Sequence, residues 1–115
     1  APVGFGNKGE TYNINADTAA GAISSAISAQ RLIFLTNVPG ICDSDGKILG
    51  RISEKQVLKL INEDVIAGGM IPKVKSCLSA SATGSESIIV DGRVEHILLE
   101  ILDHNNIGTI VSKGD

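Results

Sequence analysis

Asn13, Asn15 and Asp17 stand at alternate positions in Tyr12–Gly21, YNINADTAAG, directly before a run of small residues. An extended segment with that spacing turns all three polar side chains one way and Ile14 toward the interior. Thr18-Ala19-Ala20-Gly21-Ala22 then favours a helix with a slim flank that can pack close to a sheet. A chain entering a helix there creates an anion site, because first-turn N–H groups lack intrahelical partners and the helix dipole is positive at that end. The same residues also satisfy a plainer reading, with Asn15 or Asp17 as an N-cap. A second junction of this kind lies at Gly68-Gly69-Met70-Ile71-Pro72-Lys73, where Pro suits the first turn and a lysine follows it. A cation at a helix N-terminus is mildly unfavourable. Lys73 therefore reads either as a solvated first-turn lysine or as a charge kept for function.

Three loops border core elements: 13–17, 36–40 and 68–73. In an open α/β sheet, ligands bind beyond the carboxyl ends of strands, so such loops can converge on one crevice. That crevice would hold glycine backbone, amide side chains, Asp17 and Lys73. No Ser–His–Asp or Cys–His arrangement accompanies them, which removes nucleophilic catalysis. Phosphate handling remains, since its catalysis is chiefly positioning and charge neutralisation and a lysine ammonium is a mobile point charge. Neither GxxxxGK[ST] nor GxGxxG is present, so the residues alone stop at a phosphate or nucleotide pocket.

The elements that must position these groups alternate. Gly6-Asn7-Lys8-Gly9 is a turn signal between two extended pieces, a hairpin. A helix is predicted over 17–29 with Ala19, Ala20, Ile23, Ala26 and Ile27 buried and Ser24, Ser25 and Ser28 outward. Arg31–Thr36 reads as a strand buried on both faces, and 43–47 as the tip of a small hairpin resumed at Ile48-Leu49. Ser53 and Gln56 form a capping box that opens a helix with Val57, Leu58 and Ile61 inward. Val74, Cys77, Leu78 and Ala82 continue the helix begun near Pro72. Ser87–Val90 is a strand, Val94, Ile97, Leu98, Ile101 and Leu102 the inner stripe of a last helix, and Ile107–Val111 a last strand. The alternation predicts one α/β domain over 1–115, a three-layer αβα sandwich with a mostly parallel sheet.

Bulk properties narrow the partners. The chain has 115 residues and 13 acidic against 10 basic side chains, with no run of one sign, which argues against nucleic acid or a polyanionic membrane surface. Its apolar runs fall far short of the ~20 residues of a membrane span, so it reads as soluble. Cys42 and Cys77 have no companions at metal-ligand spacing, and His96 and His104 are isolated, so neither a disulfide nor a protein-bound metal is expected. Ala1–Gly6 resembles the interior of a domain, which points to a piece of something longer.

YNINADTAAG, LIFLTNVPG at Leu32–Gly40, IAGGMIPKV at Ile66–Val74 and IIVDGRVEH at Ile88–His96 together, in order, resemble the C-terminal half of the N-acetylglutamate kinases, a branch of the amino acid kinase family. A closing Gly108-Thr109-Ile110 strand extends the likeness over nearly the whole chain. The resemblance implies ATP-dependent phosphorylation of the side-chain carboxylate of N-acetyl-L-glutamate, in arginine biosynthesis, with Mg2+ accompanying ATP and a cytoplasmic or plastid location. It assigns Lys73 and Asp17 to catalysis, with Asp17 orienting the catalytic lysines, and Asn13 and Asn15 to substrate. Thr36, Asn37, Gly40, Gly68, Gly69 and Met70 would border the nucleotide. Asn37 stands where the family usually has Asp. The family's N-terminal half, with glycine-rich phosphate loops and a second lysine, is absent from this sequence, so an N-terminal half or another chain is the implied partner, with self-association open.

Overall fold

A computed structural model of the chain describes residues 2–103 and 106–114; His104 lies outside the described residues. The chain opens with an antiparallel hairpin of β1 (Val3–Phe5) and β2 (Thr11–Asn13), Val3 opposite Asn13. Helix α1 (Ala16–Ala26) leads to β3 (Arg31–Thr36), and β4 (Arg51–Ser53) runs straight into α2 (Glu54–Asn62). Then follow α3 (Met70–Ser81), β5 (Glu86–Asp91), α4 (Ile97–Leu102) and β6 (Thr109–Ser112). Four strands form one sheet in the order β3-β5-β6-β4. β3 pairs parallel with β5 and β4 parallel with β6, while β5 and β6 are antiparallel.

Strand alternation divides the core into two layers. Phe34, Ile89 and Val111 point to the side covered by α2 and α3, where Val57, Val74 and Cys77 meet them. Ile88 and Val90 point to the other side, against Ile97 and Ile101 of α4 with Ile33 and Ile110 alongside. The result is the expected three-layer αβα sandwich with a mostly parallel sheet. Each fully buried aliphatic, such as Ile89 or Val74, contributes roughly 1.5–3 kcal/mol relative to exposure. The capping box at Ser53 is present, with the Ser53 hydroxyl accepting from the Gln56 amide and Gln56 Oε1 accepting from the Ser53 amide.

Several expectations are corrected. The segment after Asn13 is not extended through Asp17: the helix starts at Ala16, and Ile14 is partly exposed, its side chain lying against Gly4 of the hairpin. The inner stripe of α1 is rotated from the predicted one. Ile23 and Ile27 are 61% and 70% exposed, while Gly21 and Ser24 are buried. The slim flank packs on α3 rather than on the sheet, because Gly21 has no side chain to hold Ser76 away: a Cβ there would lie 3.0 Å from Ser76 Cβ and 3.2 Å from its carbonyl oxygen. Ser24 then meets Ser85, oxygen to oxygen at 3.3 Å, so a buried hydroxyl keeps a partner.

Strand β3 is an edge, so Leu35 stays half-exposed instead of buried on both faces. β4 has no counterpart among the predicted strands. At three residues it is too short to show a period, and pairing with β6 creates it. His96 takes a left-handed conformation (φ 60°), which delays α4 to Ile97. A helix of six residues covers only part of its sheet face, and Val94, Leu98 and Leu102 remain exposed.

Replacing Gly21 with Val should force α1 from α3 and cost about 1–3 kcal/mol, read as a lower urea midpoint with an unchanged slope. An unchanged midpoint would show that the helices do not meet as described.

Candidate functional site

Helices α1 and α3 come close enough at Gly21 and Ser76 to bring their N-terminal turns side by side. Asp17 lies in the first turn of α1 and Lys73 in the first turn of α3. The Lys73 ammonium donates to both carboxylate oxygens of Asp17, at 3.0 Å to Oδ1 and 3.1 Å to Oδ2. The two side chains are 24% and 17% exposed, so the pair is half withdrawn from water with a side left open. Underneath, the ammonium stands 5.8 Å from the centroid of the Phe34 ring. A cation at the positive end of a helix is held there by a carboxylate on the neighbouring helix and an aromatic face below.

Asn15 has a local task. It is the N-cap of α1, its Oδ1 accepting from the Thr18 amide at 3.0 Å and from the Thr18 hydroxyl at 3.3 Å. That bond uses one of the first-turn donors on which an anion site at α1 would draw. The α3 junction is also less open than its sequence implies. The Met70 and Ile71 amides reach Ala67 and Gly68 carbonyls at 3.3 and 3.2 Å, and Pro72 has no N–H. Free amides therefore do not make this a phosphate cradle; the Lys73 charge is the cationic element. A cavity of about 410 Å³ lies between the two helix starts, lined by Asn15, Thr18, Ile71, Pro72, Lys75, Ser76 and Ser79.

The remaining sequence candidates lie on β2, on the loop after β3 and at the start of α3. Asn13 ends β2 and is exposed. Thr36 ends β3, two residues beyond Phe34, and its hydroxyl meets exposed Asn37 Oδ1 at a long 3.5 Å. Gly40 is buried for packing: a Cβ would lie 2.7 Å from Thr109 Oγ1, the hydroxyl that accepts from the Ile41 amide at 2.8 Å. Gly68 takes φ +58°, and both it and Gly69 are exposed with open space beside them. Met70 is half-buried against the core below α3. Among the described residues no cluster of three His, Cys, Asp or Glu could hold a metal. No helix among them is long and apolar enough to cross a membrane.

Two groups outside the sequence candidates lie on β3 and β5. Phe34 was legible only as strand core, although an aromatic share of 3% makes each ring in this chain a marked choice. Asp91, at the end of β5, is gripped by the Arg93 side chain, Nε to Oδ1 at 2.9 Å and NH2 to Oδ2 at 2.8 Å. Those side-chain bonds, with the Arg93 backbone amide, hold the Asp91 carboxyl down at about 2. At the opposite end of the sheet a groove of about 940 Å³ runs past Arg51, Lys55, Glu86 and Lys113. None of the candidate residues lines it.

Cys77 lies one turn beyond Lys73, fully buried, and burial pushes its thiol up to about 12. Because the folded value is raised, its contribution to stability is intact below the unfolded value of about 8.5 and is lost as pH rises from there toward about 12. Brief iodoacetamide treatment of the folded chain at mildly alkaline pH should modify half-buried Cys42 and spare Cys77, with both reacting after denaturation. Equal native labelling of Cys77 in peptide mass spectra would contradict this burial. For Asp91 the folded value is depressed, so its stabilising effect holds above the unfolded value of about 3.9 and disappears as pH falls through about 2. Acid titration should therefore show Asp91→Asn converging on the parent stability over that window, and a constant difference down to the lowest pH would refute the Arg93 contact as its source.

Comparison with known proteins places the chain. Residues 1–91 match the amino acid kinase family. The chain is 50% identical over 113 residues to an acetylglutamate kinase from Gluconobacter oxydans (strain 621H), covering 96% of this chain and 38% of that protein. Among solved structures, N-acetylglutamate synthase from Neisseria gonorrhoeae complexed with coenzyme A and L-arginine superposes with a TM-score of 0.90 at 27% identity, over 98% of this chain and 27% of that one. Carbamate kinase from Giardia lamblia bound to AMP-PNP gives a TM-score of 0.75 at 25% identity, over 98% of this chain and 41% of that one. The chain spans 38% to 39% of the length of the curated relatives it matches. With that sequence match and the shared layered fold, the chain belongs to the amino acid kinase family.

Proposed function

We propose that this chain is the ATP-side half, and a single folding domain, of an enzyme that phosphorylates the side-chain carboxylate of N-acetyl-L-glutamate. The observation that carries the reading is the Lys73 ammonium, held on both oxygens of Asp17 and open on one side, in a chain 50% identical to an acetylglutamate kinase. Transfer of a phosphoryl group between oxygens requires that spreading negative charge be met by fixed positive charge, with little covalent chemistry from the protein. Lys73 supplies that charge, and Asp17 orients it without removing it. Asn13 and Asn15 face the acceptor, with Asn15 also holding the turn that presents Asp17.

Thr36, Asn37, Gly68, Gly69 and Met70 border the nucleotide. The exposed backbone of Gly68 and Gly69 permits close approach. Gly40 acts on that border indirectly, by letting the turn pack on Thr109. Asn37 brings an amide to that border, which donates as well as accepts but adds no charge. Mg2+ accompanies ATP in this reading, and among the described residues no cluster of three His, Cys, Asp or Glu could hold it. The acyl phosphate product belongs to arginine biosynthesis, and a cytoplasmic setting agrees with two unpaired cysteines.

The remainder of the site comes from the part of the relatives' length that this chain does not span. Strand β3 is a free edge, and the hairpin residues Val3, Phe5 and Tyr12 are exposed apolar or aromatic groups that a complementary half would cover. A second reading, a binding module without catalysis, draws on the synthase from Neisseria gonorrhoeae, which shares this fold under a different activity name.

Substituting this chain for the matching region of the Gluconobacter oxydans kinase should give a chimera that transfers label from γ-labelled ATP to N-acetylglutamate, while this chain alone transfers none. Lys73→Ala in the chimera should lower kcat by about 10²–10³-fold. A folded chimera that binds ATP and shows no transfer would favour the binding module, and an unaltered kcat in Lys73→Ala would sink the assignment of the phosphoryl-facing charge.

A further inference from the structure

The Lys73 ammonium is held by two contacts of different kind, and only one of them is ionic. Asp17 takes it from the side of α1, and the Phe34 ring lies beneath it at 5.8 Å from ammonium nitrogen to centroid. Phe34 cannot move to follow the ammonium. It is 8% exposed, central in β3, opposite Ile89 in the register, and wedged in a core that is otherwise aliphatic. The chain holds two Phe, one Tyr and no Trp. Phe5 and Tyr12 are on the exposed hairpin, so Phe34 is the single aromatic ring in the core, and it lies under the Lys73 ammonium.

We propose that Phe34 is a positioning residue for Lys73: its ring face fixes the height and direction of the ammonium while leaving the charge and an N–H donor free for a phosphoryl oxygen. A second carboxylate in that place would hold the ammonium equally well, but it would cancel the charge and take up a donor. A Leu or Ile would fill the volume and exert no pull on a cation. The π face attracts the ammonium electrostatically, accepts no proton, and is strongest when water is excluded, as it is below Lys73. Asp17 sets the lateral position and the ring sets the depth, so the open side of the ammonium points away from the sheet. What the ammonium then contacts rests on the kinase reading; that the ring holds it does not.

The test separates the two. In the unmodified chain, with Lys73 assigned by its loss in Lys73→Arg, the ε-methylene protons of Lys73 should resonate upfield of those of the other lysines, from the ring current of Phe34. The upfield position should persist in Phe34→Tyr and vanish in Phe34→Leu, with both variants checked for an intact fold by amide spectra. Should Phe34→Leu not fold, 3,5-difluorophenylalanine in place of Phe, in a Phe5→Leu background, keeps the shape and drains the ring face; the Lys73 side chain should then gain mobility. In the chimera with the Gluconobacter oxydans kinase, Phe34→Leu should lower kcat about 3- to 10-fold with KM for ATP nearly unchanged, the range expected for a partly desolvated cation–π contact, and Phe34→Tyr should restore it. A Lys73 resonance without upfield displacement, or one unmoved by loss of the ring, overturns the proposal whatever the chimera does. An inactive chimera beside an intact ring-current shift overturns the kinase reading and leaves the Phe34 contact standing.

Discussion

The ion pair between Lys73 and Asp17 is the constraint from which much of this structure follows. A lysine withdrawn from water at the positive end of a helix is unfavourable on two counts, desolvation and the dipole. It is tolerable only with a carboxylate within contact distance, and that carboxylate comes from a helix 56 positions away in sequence. The two helices must therefore run close together. Gly21 permits this by offering no side chain against Ser76, and the buried hydroxyls of Ser24 and Ser85 satisfy each other where the approach continues.

The sheet supplies the floor for the pair. Phe34 rises from β3 and Cys77 descends from α3 into the same layer, one turn beyond Lys73. The loops leaving β3 and entering α3 then border the same end of the sheet as the pair, through Thr36 and Gly68–Met70. At the opposite end the large groove past Arg51 and Lys113 contains none of these groups. Size alone does not identify a site; the placement of charge on rigid helix starts does.

Much of this was legible in the residues. The Ser53 and Gln56 spacing states a capping box, and the box is there. Arg31–Thr36 is a strand with the bounds its composition indicates. The hairpin follows from the Gly6-Asn7-Lys8-Gly9 turn. Asp17 and Lys73 were visible as a carboxylate and a misfit cation at two helix starts, and pairing them required only that the two junctions meet. Other readings failed for tertiary reasons. Ile23 and Ile27 have the right period for a buried stripe, but the neighbour of α1 is another helix that demands its small side, so the large residues are left outside. Leu98 and Leu102 have the same period and stay exposed because a short helix covers half a face.

By itself the sequence determined the order of most elements, the caps and turns that begin and end them, and which side chains carry charge at helix starts. These are local matters, decided by hydrogen bonds and dihedral preferences within a few residues. Tertiary structure alone decided the antiparallel turn of β6 against β5, the existence of β4, the face on which α1 is buried, and the seat of the Lys73 ammonium over Phe34. Each depends on contacts between residues dozens of positions apart, where period and propensity are silent and only the geometry of packing selects the partner.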